Sequence, residues 1–185
     1  LPLTVAATLV ILVLGLAPSE TAREIVRKPW VAGRFVYANQ IIGRDVPALE
    51  VKSELPVLSK NGFLATHPFI PENLRKPEGK WERLEAGRLI SIAACSSCHS
   101  ITDTGIRPIA KYFPPDADAA GIKDWLSAGL YRGHIVYMPP LPLPELDRDV
   151  MSEFLAEIIA VQKTDPQRAA NYAVKGFPKD SVGGK

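Results

Sequence analysis

Only two cysteines occur in the 185 residues, three positions apart. That excludes a disulfide framework, and it leaves too few thiols for a four-cysteine zinc ribbon. Lysine and arginine nowhere form a run interleaved with aromatics, and basic and acidic residues nearly balance at 22 against 20. The electrostatic footprint of a nucleic-acid partner is therefore missing. Internal repeats and low-complexity tracts are absent. Glycine is outnumbered by proline, 13 to 17, which predicts long stretches of non-repetitive chain.

Charge is also missing from the opening run, Leu1 to Ala17. This run reaches the lower length limit for a membrane-crossing helix. No basic stretch precedes it, as a secretory signal would require. It reads as a retained transmembrane helix (1–17) of a longer chain, in preference to a signal's apolar core. Ser19 is the expected N-cap of a separate interfacial helix over 18–29, ended by Pro29, with Ile25, Val26 and Trp30 toward lipid or a partner. Arg23, Arg27, Lys28 and Arg34 follow the apolar run. Under the positive-inside rule they conflict with an outward-facing domain. Upstream helices that fix the orientation would resolve the conflict, as would a role for the cluster in binding a subunit or lipid head groups.

Residues 30–80 carry prolines at 47, 56, 68, 71 and 77, and no apolar stripe of period 3.6 outlasts one turn. They are expected to be an extended segment. Val36, Tyr37, Ile41, Ile42, Phe63 and Phe69 would be costly to expose. The favoured reading is that the segment wraps a neighbouring subunit; the competing one is that it pads the domain that follows. From Trp81 the pattern turns helical. One helix is predicted over 81–94, with Leu84, Leu89 and Ile90 on its apolar face. A second spans 117–131, with Ile122, Trp125, Leu126 and Leu130. A third spans 144–162, with Leu146, Val150, Phe154, Leu155 and Ile158. A proline-rich loop, 138–144, joins the last two. The polar tail, 164–185, is expected to be a short helix and then disordered.

The first of these helices runs into Cys95-Ser96-Ser97-Cys98-His99. C-x-x-C-H is the signature of c-type haem attachment. Thiols three residues apart on a helical turn can bond two vinyl groups of one porphyrin, and the next residue can offer its imidazole to the iron. A thioredoxin-like pair would need a βαβ setting and has no use for the histidine. For the second axial position Met138 is the first candidate, in Tyr137-Met138-Pro139-Pro140, where proline fixes the backbone. His134 is its competitor. Met151 is expected in the core of the third helix and His67 on the surface.

With these motifs, residues 81–163 resemble a class I cytochrome c domain. The resemblance implies an all-α fold, three main helices around one covalent haem c, preceded here by the transmembrane helix and the extended segment. It places Gly87 where the first and third helices cross and matches Phe154–Leu155 to the family's aromatic–aliphatic pair. It implies that a proline carbonyl, here that of Pro108, orients His99. Arg107 is the candidate partner of a haem propionate. Leu126, Ile135, Phe154 and Leu155 would keep water from the iron. The expected function is single-electron transfer between a membrane redox complex and another cytochrome or an oxidase, as a subunit and not as an enzyme by itself. The alternatives are a haem enzyme or sensor with an open axial site, and a mainly structural haem subunit.

A second resemblance involves Ala22-Arg23-Glu24-Ile25-Val26-Arg27-Lys28-Pro29-Trp30 and Tyr37-Ala38-Asn39-Gln40-Ile41. These look like the end of the last membrane helix in some cytochrome bd-like, quinol-oxidising subunits, some of which carry a C-terminal haem c domain. It implies integral membrane redox subunits as partners. It also implies location in a bacterial cytoplasmic membrane, with the haem domain on the outer, periplasmic face.

Overall fold

A computed structural model describes residues 2–27, 30–32, 35–114, 116–130 and 138–182. His134, Ile135 and Tyr137 lie outside the described residues, as do the side chains of Ile25, Val26 and Trp30.

Helix α1 (Leu3–Arg27) is continuous through Pro18. Its stretch Leu3–Arg23, with mean hydropathy 1.9, is long and apolar enough to cross a membrane. The expected division into a spanning helix and a separate 18–29 helix is therefore corrected. Ser19 is an interior residue, and its hydroxyl donates to the Leu16 carbonyl at 3.0 Å. Thr21 does the same to Ala17 at 2.8 Å. Pro18 removes one N–H from the ladder, but hydroxyls in the adjacent turn give neighbouring carbonyls a second donor, and the helix carries on.

The described residues of 30–80 are not one extended segment, and this too is a correction. Strands β1 (Trp30–Ala32) and β2 (Val36–Tyr37) form an antiparallel hairpin, Trp30 opposite Tyr37. Helix α2 (Leu55–Thr66) follows, broken at Gly62, whose φ is +74°. The break explains the missing stripe. Leu58 lies on the buried face of the first half; Gly62 then resets the helical phase so that Phe63 and Leu64 also turn inward. Tyr37, Ile41, Ile70 and Leu74 join them in one core. The segment thus pads its own domain, as the competing reading had it, though Phe69 stays exposed.

The centre of the domain is the crossing of α3 (Lys80–Cys95) and α5 (Glu145–Thr164). Gly87 makes it possible: a Cβ there would overlap the Val150 carbonyl oxygen and lie 2.8 Å from the Phe154 Cβ. Leu84, Ile90, Val150, Met151, Phe154, Leu155 and Ile158 fill the interface. Arg83 clasps Glu153 beside it, Nε to Oε2 at 2.8 Å. On α5 the stripe includes Asp147, which is buried, while Leu146 is exposed, the reverse of the expected pattern.

Helix α4 (Ala119–Trp125) is capped by Asp118, which accepts the Gly121 N–H at 2.8 Å, and it continues into a π turn, Leu126–Leu130. The tail also departs from expectation. Helices α6 (Pro166–Lys175) and α7 (Lys179–Val182) dock back, with Ala169, Ala173 and Phe177 buried. The Trp81 indole N–H donates to the Phe177 carbonyl at 2.7 Å and ties the tail to α3.

Candidate functional site

The last turn of α3 carries Cys95, buried against the core, and the turn after it carries Cys98 and His99, both half-buried. Backbone N–H groups of Cys98 and His99 both donate to the Cys95 carbonyl, at 3.0 and 2.9 Å, so the pentapeptide is one compact turn. The two thiols are not joined in a disulfide. Burial, with the neighbouring Cys98, pushes the Cys95 thiol up to about 12. A thiol held so high stays protonated at neutral pH, which makes Cys95 a poor nucleophile.

The loop after His99 folds under its ring. Ser100 N–H donates to the Ile106 carbonyl at 2.8 Å, and Ile109 N–H to the Ser100 carbonyl at 2.9 Å. Gly105, with φ +103°, makes the tight turn this needs. The loop delivers the Arg107 carbonyl 2.8 Å from His99 Nδ1. A carbonyl has no proton to give, so Nδ1 carries the hydrogen and donates, and Nε2 faces the other way.

That carbonyl was expected from Pro108. The correction has a simple cause: the Pro108 carbonyl is already taken by the Lys111 N–H, at 3.1 Å, in the 3₁₀ turn Ile109–Tyr112. Pro108 is buried and begins that turn; Arg107 is exposed, with φ +46°, and reaches the site through its backbone. Tyr112 sets its ring edge-on to His99, centroids 5.3 Å apart.

His99 Nε2 faces Met138 Sδ at 3.4 Å. With Nδ1 protonated and Nε2 bare, both atoms are electron-pair donors that a soft or borderline metal can use; with Nε2 protonated the contact is a hydrogen bond to sulfur. Cys95, Cys98, His99 and Met138 share one cleft, otherwise walled by residues that include Ala94, Leu141 and Asn39. Among the described residues no three His, Cys, Asp or Glu side chains converge to hold a metal ion. An ion placed here would have to bring most of its other ligands with it.

The other sequence candidates lie elsewhere. Met151 is fully buried in α5. His67 is half-buried between Phe63 and Phe69, at 5.4 and 5.5 Å, and burial lowers its pKa. A separate groove of about 750 Å³ is lined by charged residues such as Arg83, Glu153 and Lys163, and it contains none of the cysteine, histidine or methionine side chains. Sequence reasoning missed Asn39, Tyr112 and the role of the Arg107 carbonyl. Asn39 is 56 positions from Cys95 and gives no local signal.

No protein-family model, curated protein or solved structure matches this chain.

Proposed function

We propose that the chain is a membrane-anchored single-haem electron carrier, with haem c bound to Cys95 and Cys98 and its iron held between His99 and Met138. What carries this reading is the opposed pair of donors, His99 Nε2 and Met138 Sδ, beside both thiols in one largely apolar cleft. The donor set fits the group. A porphyrin brings four in-plane nitrogens, which the protein lacks here. Each thiol S–H can add across a vinyl double bond, sulfur to one carbon and hydrogen to the other, so attachment needs no oxidant and releases nothing. Bound haem would supply a single-electron Fe(III)/Fe(II) couple.

The protein's share is holding and shielding. The Arg107 carbonyl fixes the tautomer and plane of His99. Pro139 and Pro140 stiffen the chain after Met138, whose side chain must draw back from the imidazole as iron is seated. Buried Leu126, Phe154 and Leu155 keep the domain interior dry, which helps hold the potential up. Two strong ligands leave no open position for substrate, so an electron carrier is favoured over an oxygen- or peroxide-using enzyme. The spanning helix would put this domain on the outer face of a bacterial cytoplasmic membrane. There it would serve an integral, quinol-oxidising partner such as a cytochrome bd-like subunit, and pass electrons to another cytochrome or an oxidase.

The test is extraction of the purified chain with acid–acetone, followed by the reduced pyridine spectrum. Colour that stays with the polypeptide in the wild type, and falls sharply in Cys98→Ser, supports the proposal. A colourless wild-type extract overturns it.

A further inference from the structure

Asn39 stands in the cleft although it belongs to the turn after β2, 55 residues before Ala94. That turn is fixed. Gln40 N–H donates to the Tyr37 carbonyl at 2.8 Å, and Gln40 takes φ +67°. Tyr37 and Ile41, on either side, are buried in the core. The carboxamide itself is only lightly engaged. Its Oδ1 accepts the Ile41 N–H at 3.4 Å, and its Nδ2 donates to the Ala94 carbonyl at 3.4 Å. Both contacts are at the long end of hydrogen-bond range. An amide nitrogen has two N–H donors, so one has no partner among the described residues, in a cleft that Ser97, Pro139 and Leu141 also line.

We propose that Asn39 is a wall residue of the prosthetic-group site and that its uncommitted N–H raises the group's reduction potential, a proposal that rests on the haem reading above. A donor placed beside the axial sulfur or the macrocycle draws electron density from the iron and favours its reduced form. The domain's redox property then depends on a residue from outside the three main helices.

The experiment is a spectroelectrochemical titration of the full chain in detergent, wild type against Asn39→Leu and Asn39→Asp, with covalent haem measured in each. Asn39→Leu removes the donor at similar size. Asn39→Asp keeps the acceptor for Ile41 N–H and replaces the donor by a negative charge. The expected result is unchanged haem content and lower potentials. The oxidised-to-reduced ratio at fixed ambient potential should rise about threefold for Asn39→Leu and about tenfold, some 59 mV, for Asn39→Asp. If Asn39→Leu does not fold, Asn39→Asp decides alone. A folded variant that titrates with the wild type overturns this proposal and leaves the haem reading intact; a wild type without covalent haem overturns both.

Discussion

The Asp147 carboxylate accepts the backbone N–H of Phe63 at 2.5 Å, across 84 residues of sequence. It also receives the Leu64 N–H at 3.4 Å. Gly62 has broken α2 just before these residues, so Asp147 caps the restarted helix from another element. Gly62 has to be glycine twice over: its φ is +74°, and a Cβ would sit 2.5 Å from the carboxylate oxygens.

The cap has a pH signature. Burial raises the Asp147 pKa from 3.8 to about 6, with the two N–H groups pulling the other way. A carboxyl with a raised folded-state pKa binds its proton more tightly when folded. Its contribution to stability is therefore greatest below pH 4 and falls as pH rises toward 6, by at most about 3 kcal/mol. Asp147→Asn should lack this dependence. Melting curves of the two proteins at pH 4 and pH 7 check it: the variant should gain relative to wild type as pH rises, and parallel curves would refute the assignment.

Gly87→Ala sets helix propensity against packing. Alanine gains about 1 kcal/mol inside a helix, but overpacking against a backbone oxygen that cannot rotate away costs roughly 1–3 kcal/mol or more. The steric effect should win, with a net loss of about 1–2 kcal/mol in denaturant unfolding. A neutral or stabilised variant would mean that α3 and α5 are not in contact at Gly87 and Val150.

Trimming the N-terminus separates padding from linker. A chain starting at Phe35 keeps Tyr37, Ile41, Leu58, Phe63, Leu64, Ile70 and Leu74 in the core, and one starting at Lys80 loses all seven. At about 1.5–3 kcal/mol for each fully buried large side chain, the loss is comparable to or larger than the roughly 5–15 kcal/mol that holds a domain together. The longer chain should show a cooperative melt and the shorter one none, by circular dichroism.

Under the haem proposal, Met138→Ala should open one side of the iron. Axial ligands move haem potentials over about 0.8 V, and loss of the thioether is expected to lower the midpoint by on the order of 100 mV. The reduced variant should also bind carbon monoxide quickly, which the wild type should not. Identical spectra and potential would transfer the ligand's role to His134.

The sequence revealed what is local. The two thiols and the histidine lie in five residues, and α3 and α5 begin and end within two residues of their periodicity because their apolar faces repeat every 3.6. What it concealed depends on distant partners. Gly62 cut the α2 stripe in two, so a helix that delivers three core side chains read as irregular chain. Asp147 took the inward place assigned to Leu146 because a broken helix 84 residues away needed an acceptor. Pro108 was the reasonable choice for the histidine's carbonyl until the 3₁₀ turn claimed it. The tail's few apolar residues, Ala169, Ala173 and Phe177, were too sparse to announce a docked helix.

The contact of Asn39 with Ala94 shortens the chain that separates α1 from the cleft. Were residues 30–80 a loose strand, the cleft could stand up to ~170 Å from the end of α1. Strands β1 and β2 instead fold this stretch back on itself, with Trp30 opposite Tyr37, so the cleft stays within a small fraction of that distance. If α1 sits in a membrane, as the proposed function has it, the volume the domain can sweep shrinks, and its local concentration beside a membrane neighbour rises to match.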